Sequence, residues 1–117
     1  MVKYDNHSKE WDKVLLEGSK RKLIGDTWLK LSTLDSFAHD RQREVFINIL
    51  KYYIKPTLLT LGDGRYGNDA KYFIKNGIKT HASDISDKLL KIANKNGFIN
   101  DFSCQNAEDL TFNKEEF

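Results

Sequence analysis

The chain changes rhythm at Pro56. Before it, apolar residues return at helical intervals; after it, short apolar runs bounded by glycine alternate with amphipathic stretches. Trp11, Val14, Leu15 and Gly18 predict a short first helix, and Leu23, Ile24, Trp28 and Leu31 a second piece. The clearest helix starts near Ser36. There Phe37, Ala38, Val45, Phe46, Ile49, Leu50 and Tyr53 form an apolar stripe, while Asp40, Arg41, Arg43, Glu44 and Lys51 fall mostly elsewhere. Pro56 ends it, because the residue before a proline is pushed out of the helical region. Residues 1–56 thus read as a helical extension.

Residues 57–117 read differently. Leu58–Leu61 is short, apolar and bounded by glycine, as a buried strand should be. A helix follows to Lys75, and Asn76-Gly77 supplies its stop. Ile78–Ala82 predicts a second strand ending at Ser83-Asp84. Ser86 is placed to cap the next helix, with Asp87 in its first turn and Leu89, Leu90, Ile92 and Ala93 as its apolar face. Asn96-Gly97 stops that helix in the same way, and a weaker third strand covers about 101–105. The alternation predicts an α/β half-sheet of about three parallel strands with flanking helices, and ligands at the C-terminal ends of the strands. The last strand would be an edge, so the chain is expected to be part of a longer protein or to cover that edge by self-association, as a homodimer.

Between the first strand and its helix lies Gly62-Asp63-Gly64-Arg65-Tyr66-Gly67, which matches G-x-G-x-x-G. Glycines there let the backbone bend tightly and let a ligand approach where a Cβ would obstruct it. Asp84, 17 residues after Gly67, is placed to accept hydrogen bonds from both ribose hydroxyls of an adenosine. The plainer reading is a tight turn with a solvated aspartate. A pyrophosphate wants bare N–H groups at a helix N-terminus, and Asp63 and Asp69 would repel it. They suit a ligand with a sulfonium and an ammonium and no phosphate, such as S-adenosylmethionine.

Three segments in order then carry a resemblance. "LLTLGDGRYGNDAKYF", "HASDISDKLLKIA" and "CQNAEDLTF" resemble the first three motifs of class I S-adenosylmethionine-dependent methyltransferases, over about half of the chain. The resemblance implies a Rossmann-like fold, S-adenosyl-L-methionine as cofactor, and 57–117 as a partial cofactor-binding domain. It implies that Gly62, Gly64 and the backbone around Asp63 face the methionine portion. Asp84 would bind the ribose and Ile85 would pack on the adenine, with Asn106 and Ala107 at the adenine edge. Two positions depart from the family: Thr60 stands where an acid is usual, and the common G-x-G-x-G spacing would put glycine at Tyr66. The chain stops where a fourth strand would be expected. A truncated domain with a cofactor half-site is therefore expected, inactive by itself. Its parent would methylate an unidentified acceptor, a small molecule by preference; the catalytic residues are not legible.

Composition narrows the alternatives. Lys plus Arg (19) nearly balance Asp plus Glu (17), with 11 basic and 8 acidic residues in the first 55 and 8 and 9 in the rest. Neither nucleic acid nor an anionic membrane is indicated as a partner. One cysteine, Cys104, rules out an internal disulfide, and no apolar run approaches the roughly 20 residues of a membrane span. A soluble cytoplasmic protein is expected. His7, His39 and His81 share no ligand spacing, so no metal site is expected. His81 reads as a packed or edge residue and Cys104 as a buried small side chain rather than a nucleophile. Trp11 and Trp28 read as core anchors, and Tyr4 as part of a lid or of a loose terminus. No Gly-Lys-Ser/Thr follows the glycines, which argues against a P-loop. Two other functions stay open: a dinucleotide-binding oxidoreductase module, and a non-catalytic domain that self-associates through its third strand.

Overall fold

A computed structural model describes residues 34–117 apart from Arg65, together with Lys9 as a lone helical residue. The expected helices around Trp11 and around 23–31, and the readings of Tyr4, His7, Trp11 and Trp28, lie outside the described residues.

Three strands, β1 (Thr57–Leu61), β2 (Lys79–Asp84) and β3 (Phe102–Cys104), form a parallel sheet in the order β1-β2-β3. Helix α1 (Leu34–Leu50) precedes them, α2 (Asn68–Lys75) links β1 to β2, and α3 (Asp87–Lys95) links β2 to β3. This is the expected α/β half-sheet. Its register pairs Leu61 with Ser83, Ser83 with Ser103 and Asp84 with Cys104. Among the described residues β2 is central, so β1 is an edge as well as β3. The second strand ends at Asp84, as expected, where Asp84 O still accepts Gln105 N at 2.9 Å.

The core gathers Tyr66, Ala70, Ala82, Leu89, Leu90, Ala93 and Ile99, with Ile74, Ile92, Phe98 and Phe102 packed against it. Ala70 and Ala93 share this cluster with Ala82, so both crossover helices cover the same face of the sheet. The helices end alike. Gly77 N and Ile78 N donate to Ile74 O and Phe73 O (both 3.0 Å), while Gly97 N and Phe98 N donate to Asn94 O and Ala93 O (2.9 and 3.0 Å). These are paired Schellman stops, each closed by a glycine at positive φ (79° and 73°).

Helix α1 departs from expectation at its C-terminal end. It ends at Leu50, before Pro56, through i→i−3 bonds from Tyr52 N to Ile49 O (3.2 Å) and Tyr53 N to Leu50 O (3.0 Å). Its apolar stripe is also not a core face among the described residues: Phe37, Val45, Phe46, Ile49 and Tyr53 are each at least half exposed. Contacts that tie α1 to the domain include an edge-on contact of Phe46 with Phe73 and the Arg43–Asp69 ion pair, with Nη2 2.6 Å and Nε 2.7 Å from Oδ1. No helix among the described residues is long and apolar enough to cross a membrane.

Candidate functional site

The parallel register decides which residues meet. Leu61, Ser83 and Ser103 lie side by side, so the residues just beyond them converge at one end of the sheet. Gly62–Gly64 follow β1, Asp84 ends β2 with Ile85 after it, and Asn106-Ala107 come shortly after β3. All seven residues expected at the cofactor site thus come to the C-terminal ends of three adjacent strands, where open α/β sheets bind ligands.

The glycine turn and Asp84 are built against each other. A Cβ on Gly64 would lie 2.8 Å from Asp84 Oδ2 and 2.9 Å from its Cγ, so only glycine lets the carboxylate sit where it does. Asp84 is fixed from the other side by Ser86 N, which donates to Oδ1 at 2.8 Å. Ser86, fully buried, also caps α3 by accepting from Leu89 N at 3.3 Å, as expected. A Cβ on Gly62 would meet nothing within 4 Å among the described residues. Gly67 serves packing instead: at φ 67° a Cβ there would come within 2.7 Å of Ile99 Cγ2.

Asp63 does something its place in the motif does not reveal. Its side chain is buried and turned into the N-terminus of α2. Oδ2 accepts from Ala70 N (2.9 Å) and Thr60 Oγ1 (2.8 Å), and Oδ1 accepts from Asp69 N (3.1 Å). Gly67, at the N-cap, has no side chain to do this. The Asp63 backbone is engaged too, with its N–H donating to Ser83 O (3.0 Å) and its carbonyl accepting Gly67 N (2.9 Å). Burial raises the carboxyl above the ordinary aspartate range, against the lowering effect of these hydrogen bonds; neighbouring Asp69 adds to the rise. Asp63 therefore occupies the anion position of the helix with its own carboxylate, while Asp69 is paired with Arg43. Repulsion of a diphosphate by two open carboxylates, expected from the sequence, is replaced here by occupancy of the N–H groups a diphosphate would use.

The two positions expected to depart from the methyltransferase motifs, Thr60 and Tyr66, are both engaged. Thr60, in place of an acid, gives its hydroxyl to Asp63. Tyr66, in place of a glycine, keeps a left-handed backbone (φ 55°) and is 2 % exposed, a strained conformation held by its packing in the core. Asn106 accepts Glu108 N on its side-chain oxygen at 3.0 Å, which shapes the turn after β3, and Ala107 is exposed within that turn. Ile85 is half-buried, and its carbonyl accepts Cys104 Sγ at 3.3 Å; Cys104, expected to be buried, is exposed because it ends the edge strand β3.

A groove of about 430 Å³ adjoins this end of the sheet between α1, β1 and α2. Phe46, Leu58, Leu61 and Phe73 give it apolar walls, and Arg43 and Asp69 a charged side. Sequence reasoning missed Arg43, because nothing in its helix pattern says that it reaches 26 residues forward to Asp69. Among the described residues no cluster of His, Cys, Asp and Glu could hold a metal ion. Comparison of the chain with models of protein families, with curated proteins and with solved structures finds no match.

Proposed function

We propose that the chain binds S-adenosyl-L-methionine across the strand ends as the cofactor half of a methyltransferase. The observation that carries this reading is Asp63: with its carboxylate on Asp69 N and Ala70 N, the helix N-terminus is closed to a pyrophosphate, while Asp84 stays beside the Gly64 backbone for a ribose. That arrangement supports a phosphate-free adenosine ligand over a dinucleotide. The cofactor would supply an electrophilic methyl on its sulfonium. The chain would supply the backbone at Gly62 and Gly64, the Asp84 carboxylate, and Ile85, Asn106 and Ala107 around the adenine. Methyl transfer to a nucleophile is a direct displacement, so the protein's task is alignment and exclusion of water. The groove beside β1 is of the size that takes a small molecule, and it is where we place a small methyl acceptor.

Calorimetric titration of S-adenosylhomocysteine into the folded chain tests this, with NAD and Asp84→Asn in parallel. Saturable binding of S-adenosylhomocysteine, lost in Asp84→Asn and absent for NAD, is the expected result. Binding of NAD in its place would move the reading to a dinucleotide module. Binding of neither would sink the cofactor assignment.

A further inference from the structure

The opposite face of the sheet carries a second constellation that the cofactor reading leaves unused. Side chains alternate along a strand, so His81 and Ser83 point away from the core cluster that holds Ala82. The pairing of Ala82 with Phe102 and of Ser83 with Ser103 sets His81 beside Asp101 and Ser103. His81 Nδ1 lies 2.9 Å from Asp101 Oδ1, and His81 Nε2 lies 2.8 Å from Ser103 Oγ. A carboxylate can only accept, so Nδ1 is the protonated nitrogen; in the neutral ring Nε2 then accepts, and Ser103 Oγ–H is the donor.

The surroundings fit that assignment. Gln105 Nε2 donates to Ser103 Oγ at 3.2 Å and to Thr111 Oγ1 at 3.0 Å. Thr111 N donates to Gln105 Oε1 at 3.2 Å, which orients the amide with its nitrogen toward the serine. Phe112 and Phe117 pack against the His81 ring at 5.2 and 5.8 Å between centroids, forming an apolar wall.

We propose that Ser103, His81 and Asp101 form a nucleophilic site, in which Ser103 is acylated by small carboxylic esters bearing an apolar acyl group. Nucleophile and base lie within hydrogen-bond reach, and a third group orients the base, the arrangement that activates a serine. Ser103 Oγ attacks the ester carbonyl carbon as its proton passes to His81 Nε2. The carbonyl π pair becomes an oxyanion, toward which the Gln105 amide, 3.2 Å from Ser103 Oγ, can donate. Collapse of that intermediate expels the alkoxide, which takes the proton from His81 and leaves as the alcohol. Water then repeats the sequence on the acyl-serine and releases the acid. Ser103 and His81 are the reacting groups; Asp101 is a positioning residue that fixes the imidazole tautomer.

The test uses the whole chain with a fluorophosphonate probe, read by intact mass and peptide mapping, and with p-nitrophenyl acetate for acylation. One adduct at Ser103 is expected, absent in Ser103→Ala. His81→Gln should slow labelling about 100-fold or more, and Asp101→Asn should slow it while Asp101→Glu restores part of the rate. Circular dichroism of each variant separates loss of the site from loss of the fold. An unlabelled Ser103 in the folded wild-type chain would overturn the proposal, as would a labelling rate that His81→Gln leaves unchanged. Either result is independent of S-adenosylhomocysteine binding at the strand ends.

Discussion

Replacing Asp63 by alanine tests the use of an internal carboxylate as the cap of α2. The substitution removes three acceptor contacts, at 2.8, 2.9 and 3.1 Å, and leaves the N–H groups of Asp69 and Ala70 without their partner. A buried donor left unsatisfied costs about 1–3 kcal/mol, and loss of an N-cap about 0.5–2 kcal/mol. Against this stands relief of burying a charge, which the raised carboxyl pKa reports. The net loss expected is about 2–4 kcal/mol, a fall of roughly 1–3 M in the urea midpoint followed by circular dichroism. Asp63→Asn, which keeps one acceptor, should cost about half as much. The pH dependence has a definite sign. A carboxyl raised in the folded state holds its proton more tightly there, so its contribution is fully present below the unfolded pKa and is lost as pH rises through the folded one. The stability gap between wild type and Asp63→Asn should therefore narrow on going from acid to neutral pH. If Asp63→Ala shifts the midpoint by less than the equivalent of about 0.5 kcal/mol, the side chain is no cap, and the case against a dinucleotide falls with it.

Two further substitutions probe the packing around α2. Gly67→Ala should destabilise by about 2 kcal/mol or more in the same urea assay, because the new Cβ meets Ile99 Cγ2 at 2.7 Å and the backbone has positive φ; an unchanged midpoint would contradict the close packing. Lys71 lies buried with its Nζ 3.3 Å above the Phe98 ring and no hydrogen-bond partner among the described residues, and burial lowers its pKa, with Lys75 adding to the effect and Asp40 opposing it. The wild type should gain stability as pH rises through the depressed folded pKa toward 10.5, whereas Lys71→Met should not. Parallel profiles for the two proteins would refute this.

The strands and crossover helices were legible because their signals are local. A glycine-bounded apolar run, an N-cap serine and two Asn-Gly stops each act within a few residues, and the elements follow them closely. The end of α1 was not, since Pro56 restricts only its neighbour and the helix unwinds earlier through its last carbonyls. Nor did the stripe of α1 tell where its side chains would lie, because what packs on a helix is a tertiary matter. The strand ends gathered the expected cofactor residues because parallel pairing makes one end of the sheet common to all three strands. Which polar groups were already engaged could not be read in this way. Asp63 bonds six and seven residues forward, and His81 meets Asp101 and Ser103 only through register.

The twin helix stops also bear on how the chain ages. Asn-Gly is the dipeptide most prone to deamidation, because an unhindered glycine nitrogen can attack the asparagine amide and close a succinimide ring. At both sites that nitrogen is engaged, Gly77 N with Ile74 O and Gly97 N with Asn94 O. Each asparagine amide is in turn drawn back along its helix, Asn76 Nδ2 to Tyr72 O and Asn96 Nδ2 to Ile92 O, both at 2.8 Å. The hydrogen bonds that end the helices thus engage both nucleophile and amide, and chemical damage at 76 and 96 becomes a clock expected to run faster in the unfolded chain than in the folded one.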